Sequence, residues 1–224
     1  MNKDFNKYFE ITTLDYDINR GVVEKLLMDA LKYDFHGAVV DGYHLPLAWD
    51  YLEGSGIQVV TVAGFPMGTC GTNSKCAEVF EAIKDGAEEI DVMMNIAAIK
   101  DRKYDYVASE ITALKEICKS EDVKLKVILE TSYLTDEEII RVCEIALNCG
   151  VDYIRDSSGF SRIGATARTV KLIKDTVGEK CKIKAAGKIW TLAQVMELIE
   201  AGADTISTDA AMEIMEEYIA AQAE

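Results

Sequence analysis

Three segments of the chain repeat one short layout, and this repeat limits the possible folds more than any other feature. Each segment begins with Gly, continues through an apolar run and carries a polar residue five positions after the Gly. The segments are G-A-E-E-I-D at 86–91, G-V-D-Y-I-R at 150–155 and G-A-D-T-I-S at 202–207, and G-A-V-V-D at 37–41 is a looser copy. Because Gly ends helices well, each segment predicts the end of a helix followed by a short buried strand.

Four further apolar runs predict strands at 11–14, 58–63, 124–130 and 182–185. Together with the repeated segments they make about eight strands, spaced along the chain as strands in βαβ units are. The segments between them predict helices. Thr135 and Glu138 form the capping box of one, Thr191 and Gln194 begin another, and residues 107–118 carry an apolar stripe at helical spacing.

Alternating strands and helices fold either into a closed barrel or into an open doubly wound sheet. No G-x-G-x-x-G motif follows the first predicted strand, which disfavours the open, dinucleotide-binding sheet. We therefore predict a single (β/α)8 TIM barrel domain spanning residues 1–224.

The composition of the chain disfavours several kinds of binding partner. The formal net charge of −15 disfavours nucleic-acid binding. The chain has 6 Cys without a C-x-x-C pair and only 2 His, so we predict neither a metal nor a cofactor. No signal-peptide pattern and no apolar run of about 18 residues is present. We expect a cytoplasmic protein with free thiols and no membrane contact.

The candidate site follows from the barrel, because barrel enzymes use the residues at the carboxyl ends of their strands. A charged residue at the tip of an apolar strand must be paired or face a solvated cavity. Glu130 is expected to orient neighbouring lysines. The strand-end residues are Thr12, Asp41, Asp91, Glu130, Arg155, Lys184 and Ser207.

At these strand ends the sequence resembles the deoxyribose-phosphate aldolase family, over nearly the whole chain. Several motifs occur in the family's order, which supports the barrel fold and common ancestry. The motifs are E-I-T-T-L at 10–14, T-V-A-G-F-P-M-G at 61–68 with Lys75, E-I-D-V-M-M-N at 89–95, K-V-I-L-E-T at 126–131 running into L-T-D-E-E at 134–138, S-S-G-F at 157–160, G-A-T at 164–166 and K-A-A-G at 184–187.

The resemblance implies class I aldolase chemistry, in which a lysine on strand six forms an imine (Schiff base) with a carbonyl substrate. The family's assisting aspartate corresponds to Asp91 and its second lysine to Lys184. Its imine-forming lysine corresponds to Arg155. A guanidinium stays protonated at any working pH, so Arg155 cannot be the nucleophile.

The phosphate site implied by the resemblance is also altered. The family pairs two glycines after strand seven, whereas here Gly187 is followed by Lys188, and Asp209 would face a phosphate as a like charge. Lys188 would either pair with Asp209 and fill the pocket or bind, with Arg162, an anion placed differently. The predicted substrate-binding residues are Thr12, Ser158, Gly159, Gly187 and Lys188.

The leading hypothesis is a carbon–carbon lyase for a small hydroxy-carbonyl, sugar-type substrate, with Lys184, Asp91 and Arg155 as the catalytic group. A neighbouring Arg155 would lower the pKa of Lys184 and so activate it as nucleophile. Asp91 is either a proton relay or a structural partner, and Arg155 either grips an anion or pairs with Asp156. Two alternatives remain: a catalytically silent member that binds a metabolite or partner, and a lyase that works by acid–base steps without an imine. A homodimer is expected by analogy with the family.

Overall fold

The computed structural model describes residues 4–222, and eight parallel strands in it close into a barrel in the order of the chain. The predicted single (β/α)8 barrel is therefore confirmed. The strands are β1 Phe9–Thr12, β2 Gly37–Val39, β3 Gln58–Ala63, β4 Glu89–Met93, β5 Lys124–Ile128, β6 Tyr153–Arg155, β7 Lys182–Ala186 and β8 Thr205–Thr208.

Helices cover the outside of the barrel, and two predicted helix starts are confirmed: capping boxes at Thr135 and Thr191 begin α6 and α8. The helices are α1 Arg20–Tyr33, α2 Leu45–Leu52, α3 Thr72–Lys84, α4 Ile96–Lys100, α5 Tyr104–Ser120, α6 Asp136–Asn148, α7 Ala167–Val177, α8 Leu192–Glu200 and α9 Ala211–Gln222. Short 3-10 helices lie at Phe5–Tyr8 and Thr131–Tyr133. No helix within residues 4–222 combines the length and the apolar character that crossing a membrane requires.

The hydrophobic core lies between the strands and the helices. Strand side chains alternate between the two faces, and Ile90 and Val92 of β4 belong to this core. The residues between them in sequence, such as Asp91, point into the barrel, where they are also buried. Barrel interiors are usually filled by branched apolar side chains, so an interior lined with charged residues is the feature of this fold that needs explanation.

Two predicted strands had wrong limits, for different reasons. The first strand runs from Phe9 to Thr12 rather than over 11–14, because the prediction began at the apolar residues and left out Glu10, which is buried inside the barrel. The fifth strand ends at Ile128 rather than at residue 130, because Glu130 takes a left-handed conformation with φ 53°.

Gly68 fixes the loop after β3 at a close approach to the chain after β4. Its φ is 67°, and a Cβ added there would lie 2.1 Å from the carbonyl oxygen of Met94. Gly54 offers a matched comparison, since its φ is 75° but nothing lies within 4 Å of an added Cβ.

We predict that Gly68→Ala lowers the free energy of unfolding by roughly 3 kcal/mol, because a steric clash adds to the cost of left-handed backbone. Gly54→Ala meets only the backbone cost, about 1 kcal/mol. Urea unfolding of both variants measures the difference. Equal losses would show that the contact with Met94 yields at little cost.

Candidate active site

Six charged side chains fill the barrel interior, and we call them the axial charge cluster. Its carboxylates and its cations are equal in number, so the group is formally neutral when every member is ionised. The cluster consists of Glu10, Glu89, Asp91, Lys126, Lys184 and Arg155, all nearly or completely buried.

Short ion pairs connect the members of the axial charge cluster. Lys126 Nζ contacts the carboxylates of Glu10 and Glu89. Lys184 Nζ contacts Glu10 and lies 2.6 Å from Asp91 Oδ2. Arg155 Nη1 lies 2.7 Å from the same Asp91 oxygen. Asp91 therefore contacts both Lys184 and Arg155. This agrees with the alternative in which Asp91 is their structural partner.

Two opposing effects set the pKa values in the cluster: burial favours the neutral form of each group, and neighbouring opposite charges favour the ionised form. Burial alone would raise the pKa of Glu10, yet Lys126 and Lys184 lower it to about 2. The pKa of Asp91 is likewise lowered, because Lys184, Lys126 and Arg155 outweigh the effect of burial. Burial lowers the pKa of Lys184, and Asp91 and Glu10 offset only part of that effect. The expected direction for Lys184 agrees, but burial is its main cause and Arg155 a lesser one.

Arg155 is held in place by backbone oxygens as well as by Asp91. Its Nε donates to Ser157 O at 2.8 Å and its Nη2 to Ser158 O at 2.9 Å. A guanidinium carries five N–H groups, so two remain without a partner among residues 4–222. No ion pair within the described chain joins Arg155 to Asp156, so the alternative of a local pair between them was wrong.

A cavity of about 190 Å³ opens above Arg155 at the carboxyl ends of the strands, and we call it the mouth cavity. Its wall includes every predicted substrate-binding residue: Thr12, Ser158, Gly159, Gly187 and Lys188. Arg155, Asp15, Asp209, Trp190 and Ser207 also line it, whereas Asp91 and Lys184 do not. Lys184 has no exposed surface. The predicted substrate-binding residues and Arg155 therefore lie at the cavity, whereas Asp91 and Lys184 are buried outside its wall.

Two hydroxyl groups at the mouth cavity are available to a ligand. Thr12 Oγ1 and Ser207 Oγ are buried and accept or donate no hydrogen bond among the described residues. Buried polar atoms usually have partners, so these two are candidates for contact with a ligand. Lys188 forms no ion pair with Asp209 in the described part of the chain, and its Nζ lies 6.0 Å from the ring centroid of Trp190. The expectation that Lys188 and Asp209 fill the pocket as a pair was therefore wrong.

Glu130 fixes the loop after β6. Its carboxylate accepts hydrogen bonds from Ser161 Oγ at 2.8 Å, from Ser157 Oγ at 3.2 Å and from the backbone N–H of Ser158 at 3.1 Å. The expectation that Glu130 orients lysines was wrong, because serines surround it. This loop supplies Ser158 and Gly159 to the mouth cavity.

Two other predicted residues lie outside the site. Asp41 accepts hydrogen bonds from the backbone and ring of His44 in the turn before α2. Lys75 lies on the buried face of α3, and its Nζ donates to Met93 O and Glu110. Lys126, in contrast, was missed as a member of the site. A lysine inside a buried strand was the available signal, because such a charge requires a partner.

One group of possible metal ligands lies at the other end of the barrel interior. Ligand atoms of Glu10, His36 and Glu89 come within 4.8 Å of one another. The ammonium of Lys126 already contacts both carboxylates. A divalent cation there would add positive charge beside Lys126, so these residues do not fit a metal, and the absence of a metal cofactor stays a prediction.

The barrel and its buried lysines and aspartate define an aldolase-type (β/α)8 protein. The DeoC/LacD family aldolase model matches residues 40–187. A deoxyribose-phosphate aldolase of Finegoldia magna is 42% identical over 95% of this chain and 99% of its own length. The solved aldolase QR15 is 34% identical, with a TM-score of 0.92 and 98% of each chain covered. A tetrameric deoxyribose phosphate aldolase from Aeropyrum pernix has the same fold, with a TM-score of 0.90 at 24% identity.

The chain therefore belongs to the DeoC/LacD aldolase family. It is a deoxyribose-phosphate-aldolase-like lyase, as the motifs at its strand ends implied.

Asp156 is a buried carboxyl that sequence analysis did not assign to any function. Its Oδ1 accepts a hydrogen bond from Ala186 N at 2.9 Å, while Oδ2 has no partner among the described residues. Burial raises its pKa from 3.8 to about 7. Between those two values the folded protein binds a proton that the unfolded chain releases, so this group lowers stability as pH rises through that window.

We predict that Asp156→Asn removes this loss, because the amide stays neutral and keeps an acceptor for Ala186. The free energy of unfolding of the variant should exceed that of the parent increasingly from about pH 4 to pH 7, by roughly 4 kcal/mol at the upper end. Chemical denaturation across that range measures the gap. Parallel stability curves would mean that Asp156 is ionised throughout.

Proposed function

We propose that the mouth cavity binds a small anionic β-hydroxy carbonyl compound and that the chain cleaves its carbon–carbon bond without an imine. One observation carries this proposal: Arg155 lines the cavity, and Lys184 lies beneath it with no exposed surface. An amine nucleophile must reach the carbonyl carbon of its substrate. Lys184 Nζ is instead occupied by Glu10 and Asp91.

Arg155 supplies the electrophilic group in this proposal. Its charge is permanent, and its two remaining N–H groups are available to the carbonyl oxygen of a substrate in the mouth cavity. As the carbon–carbon bond breaks, its electron pair becomes an enolate, whose oxygen Arg155 stabilises. Asp91 positions the guanidinium through its 2.7 Å contact, and Lys184 holds Asp91 in turn.

Proton transfer completes the cleavage. The β-hydroxyl group must lose its proton as its carbon becomes an aldehyde, and a positioned carboxylate is a suitable acceptor. Asp15 and Asp209 are the carboxylates in the wall of the mouth cavity. Thr12 and Ser207 offer unpartnered hydroxyls to other oxygens of the substrate. The enolate then takes a proton at carbon from water, and the hydroxide that remains takes up the proton held by the carboxylate, which restores the site.

The anionic group of the substrate would bind near Lys188. Lys188 and Gly187 lie side by side in the cavity wall, and Ser158 and Gly159 face them from the loop after β6. The named relatives support a sugar-type skeleton, since their names specify deoxyribose phosphate. Deoxyribose 5-phosphate itself is disfavoured, because its phosphate brings nearly two negative charges beside Asp209, whereas a carboxylate brings only one.

A second mechanism retains Lys184 as the imine-forming amine. Burial lowers its pKa, which increases the neutral fraction that an imine requires. This mechanism needs Arg155 to leave its contact with Asp91 and open a path from the cavity. The hydrogen bonds from Arg155 to Ser157 O and Ser158 O oppose that movement.

Location and assembly are also proposals. We propose a cytosolic protein, supported by six cysteines that are all free thiols. We propose a homo-oligomer by analogy with the family, in which the Aeropyrum pernix protein is described as tetrameric.

Borohydride trapping separates the two mechanisms. We predict that parent protein incubated with deoxyribose 5-phosphate or 4-hydroxy-2-oxopentanoate and borohydride gains no mass on Lys184. Arg155→Lys, which places an amine at the cavity, should gain a borohydride-dependent adduct on that position. Peptide mass spectrometry measures both. An adduct on Lys184 of the parent protein would establish the imine mechanism instead.

Lys188 is predicted to bind the anionic group without taking part in bond cleavage. Lys188→Ala should raise the KM for 4-hydroxy-2-oxopentanoate roughly tenfold and change kcat little, because a charge-assisted hydrogen bond to the substrate is lost. Lys171→Ala, on the exposed face of α7, is the matched control and should change neither constant. A fall in kcat at unchanged KM would place Lys188 in the chemical step.

A further inference from the structure

A second cavity, of about 340 Å³, adjoins the mouth cavity on the other half of the barrel rim, and we call it the apolar cavity. The loops after β3, β4, β5 and β6 form it, whereas the mouth cavity lies among the loops after β1, β6, β7 and β8. Large apolar side chains make most of its wall: Pro66, Met67, Met93, Ile96, Tyr133 and Phe160.

The two cavities share part of one wall, the loop after β6. Ser158 and Phe160 line both of them, so a ligand long enough to extend over these two residues would contact both cavities. Glu130 anchors this loop through Ser157, Ser158 and Ser161. The wall that the two cavities share is therefore held in place.

The chemistry of the apolar cavity favours an uncharged occupant. Glu130 is its only carboxylate among the described residues, and that carboxylate already accepts hydrogen bonds from several groups of the β6 loop. Met67 and Tyr133 are 70% and 57% exposed, which is unusual for large apolar side chains on one rim. A cavity of about 150 Å³ suffices for benzene, so this one has room for an aromatic ring.

We propose that the apolar cavity binds an apolar, aromatic-sized end of the substrate whose anionic hydroxy-carbonyl part lies in the mouth cavity. This inference rests on the proposed function, and it adds an apolar group to the anionic hydroxy-carbonyl group that the substrate must carry. The substrate would then be larger and less polar at one end than a sugar phosphate. Contact with Met67 and Tyr133 would select it, because apolar burial discriminates between ligands of different size.

Two aldols with one head group test the inference. Both 4-hydroxy-2-oxo-4-phenylbutanoate and 4-hydroxy-2-oxopentanoate release pyruvate on cleavage, with benzaldehyde or acetaldehyde as the second product. We expect kcat/KM for the phenyl compound to exceed that for the methyl compound by roughly tenfold or more. Met67→Ala and Tyr133→Ala should each reduce this ratio severalfold. Met196→Ala, in an exposed position on α8 outside both cavities, should leave it unchanged.

Calorimetric titration with the same two compounds measures their dissociation constants independently of cleavage. If neither compound is cleaved but the phenyl compound binds tighter and Met67→Ala removes the difference, the proposed function fails and the apolar site stands. A ratio near one in both cleavage and binding would overturn the inference while leaving the lyase intact. An oligomer that Met67→Ala dissociates, without any phenyl preference, would assign the cavity to a second copy of the chain and also overturn it.

Discussion

The axial charge cluster is the interaction on which the rest of the structure depends. Removing an ionised group from water costs several kcal/mol unless a partner of opposite charge lies in contact with it. Glu10, Asp91, Lys126 and Lys184 are completely buried, and each contacts at least one opposite charge. Loss of one charge would leave the cluster with one buried charge too many, so we expect it to tolerate single substitutions only where they preserve the charge.

This constraint explains how an arginine can occupy the strand-six position without disturbing the fold. Arg155 adds the cation that balances Asp91, and its planar fork also satisfies two carbonyl oxygens of the following loop. Under the proposed function, these contacts also keep Lys184 from a substrate in the mouth cavity. Arg155 would then maintain the charge balance of the interior and meet the substrate in place of an amine.

The barrel was predictable because its signals are local: in the three repeats a Gly follows a helix and a short buried strand comes after it. The repeat at 150–155 contains all of β6, and those at 86–91 and 202–207 contain the first residues of β4 and β8. The site was only partly predictable. Asp91, Arg155 and Lys184 were predicted at strand ends, but only Arg155 ends its strand, and Asp91 and Lys184 lie in the middle of β4 and β7. No sequence pattern states which charges pair across a barrel. The partners of Lys126 and the serines around Glu130 became visible only when distant strands and loops met.

The proposed mechanism requires Arg155, and not Lys184, to meet the substrate carbonyl. A crystal structure of the protein soaked with 4-hydroxy-2-oxopentanoate would show which of the two does so. We expect a ligand oxygen within hydrogen-bonding distance of Arg155, with Lys184 still paired to Glu10 and Asp91. Continuous electron density from Lys184 Nζ to a ligand carbon, with Arg155 displaced from Asp91, would contradict it.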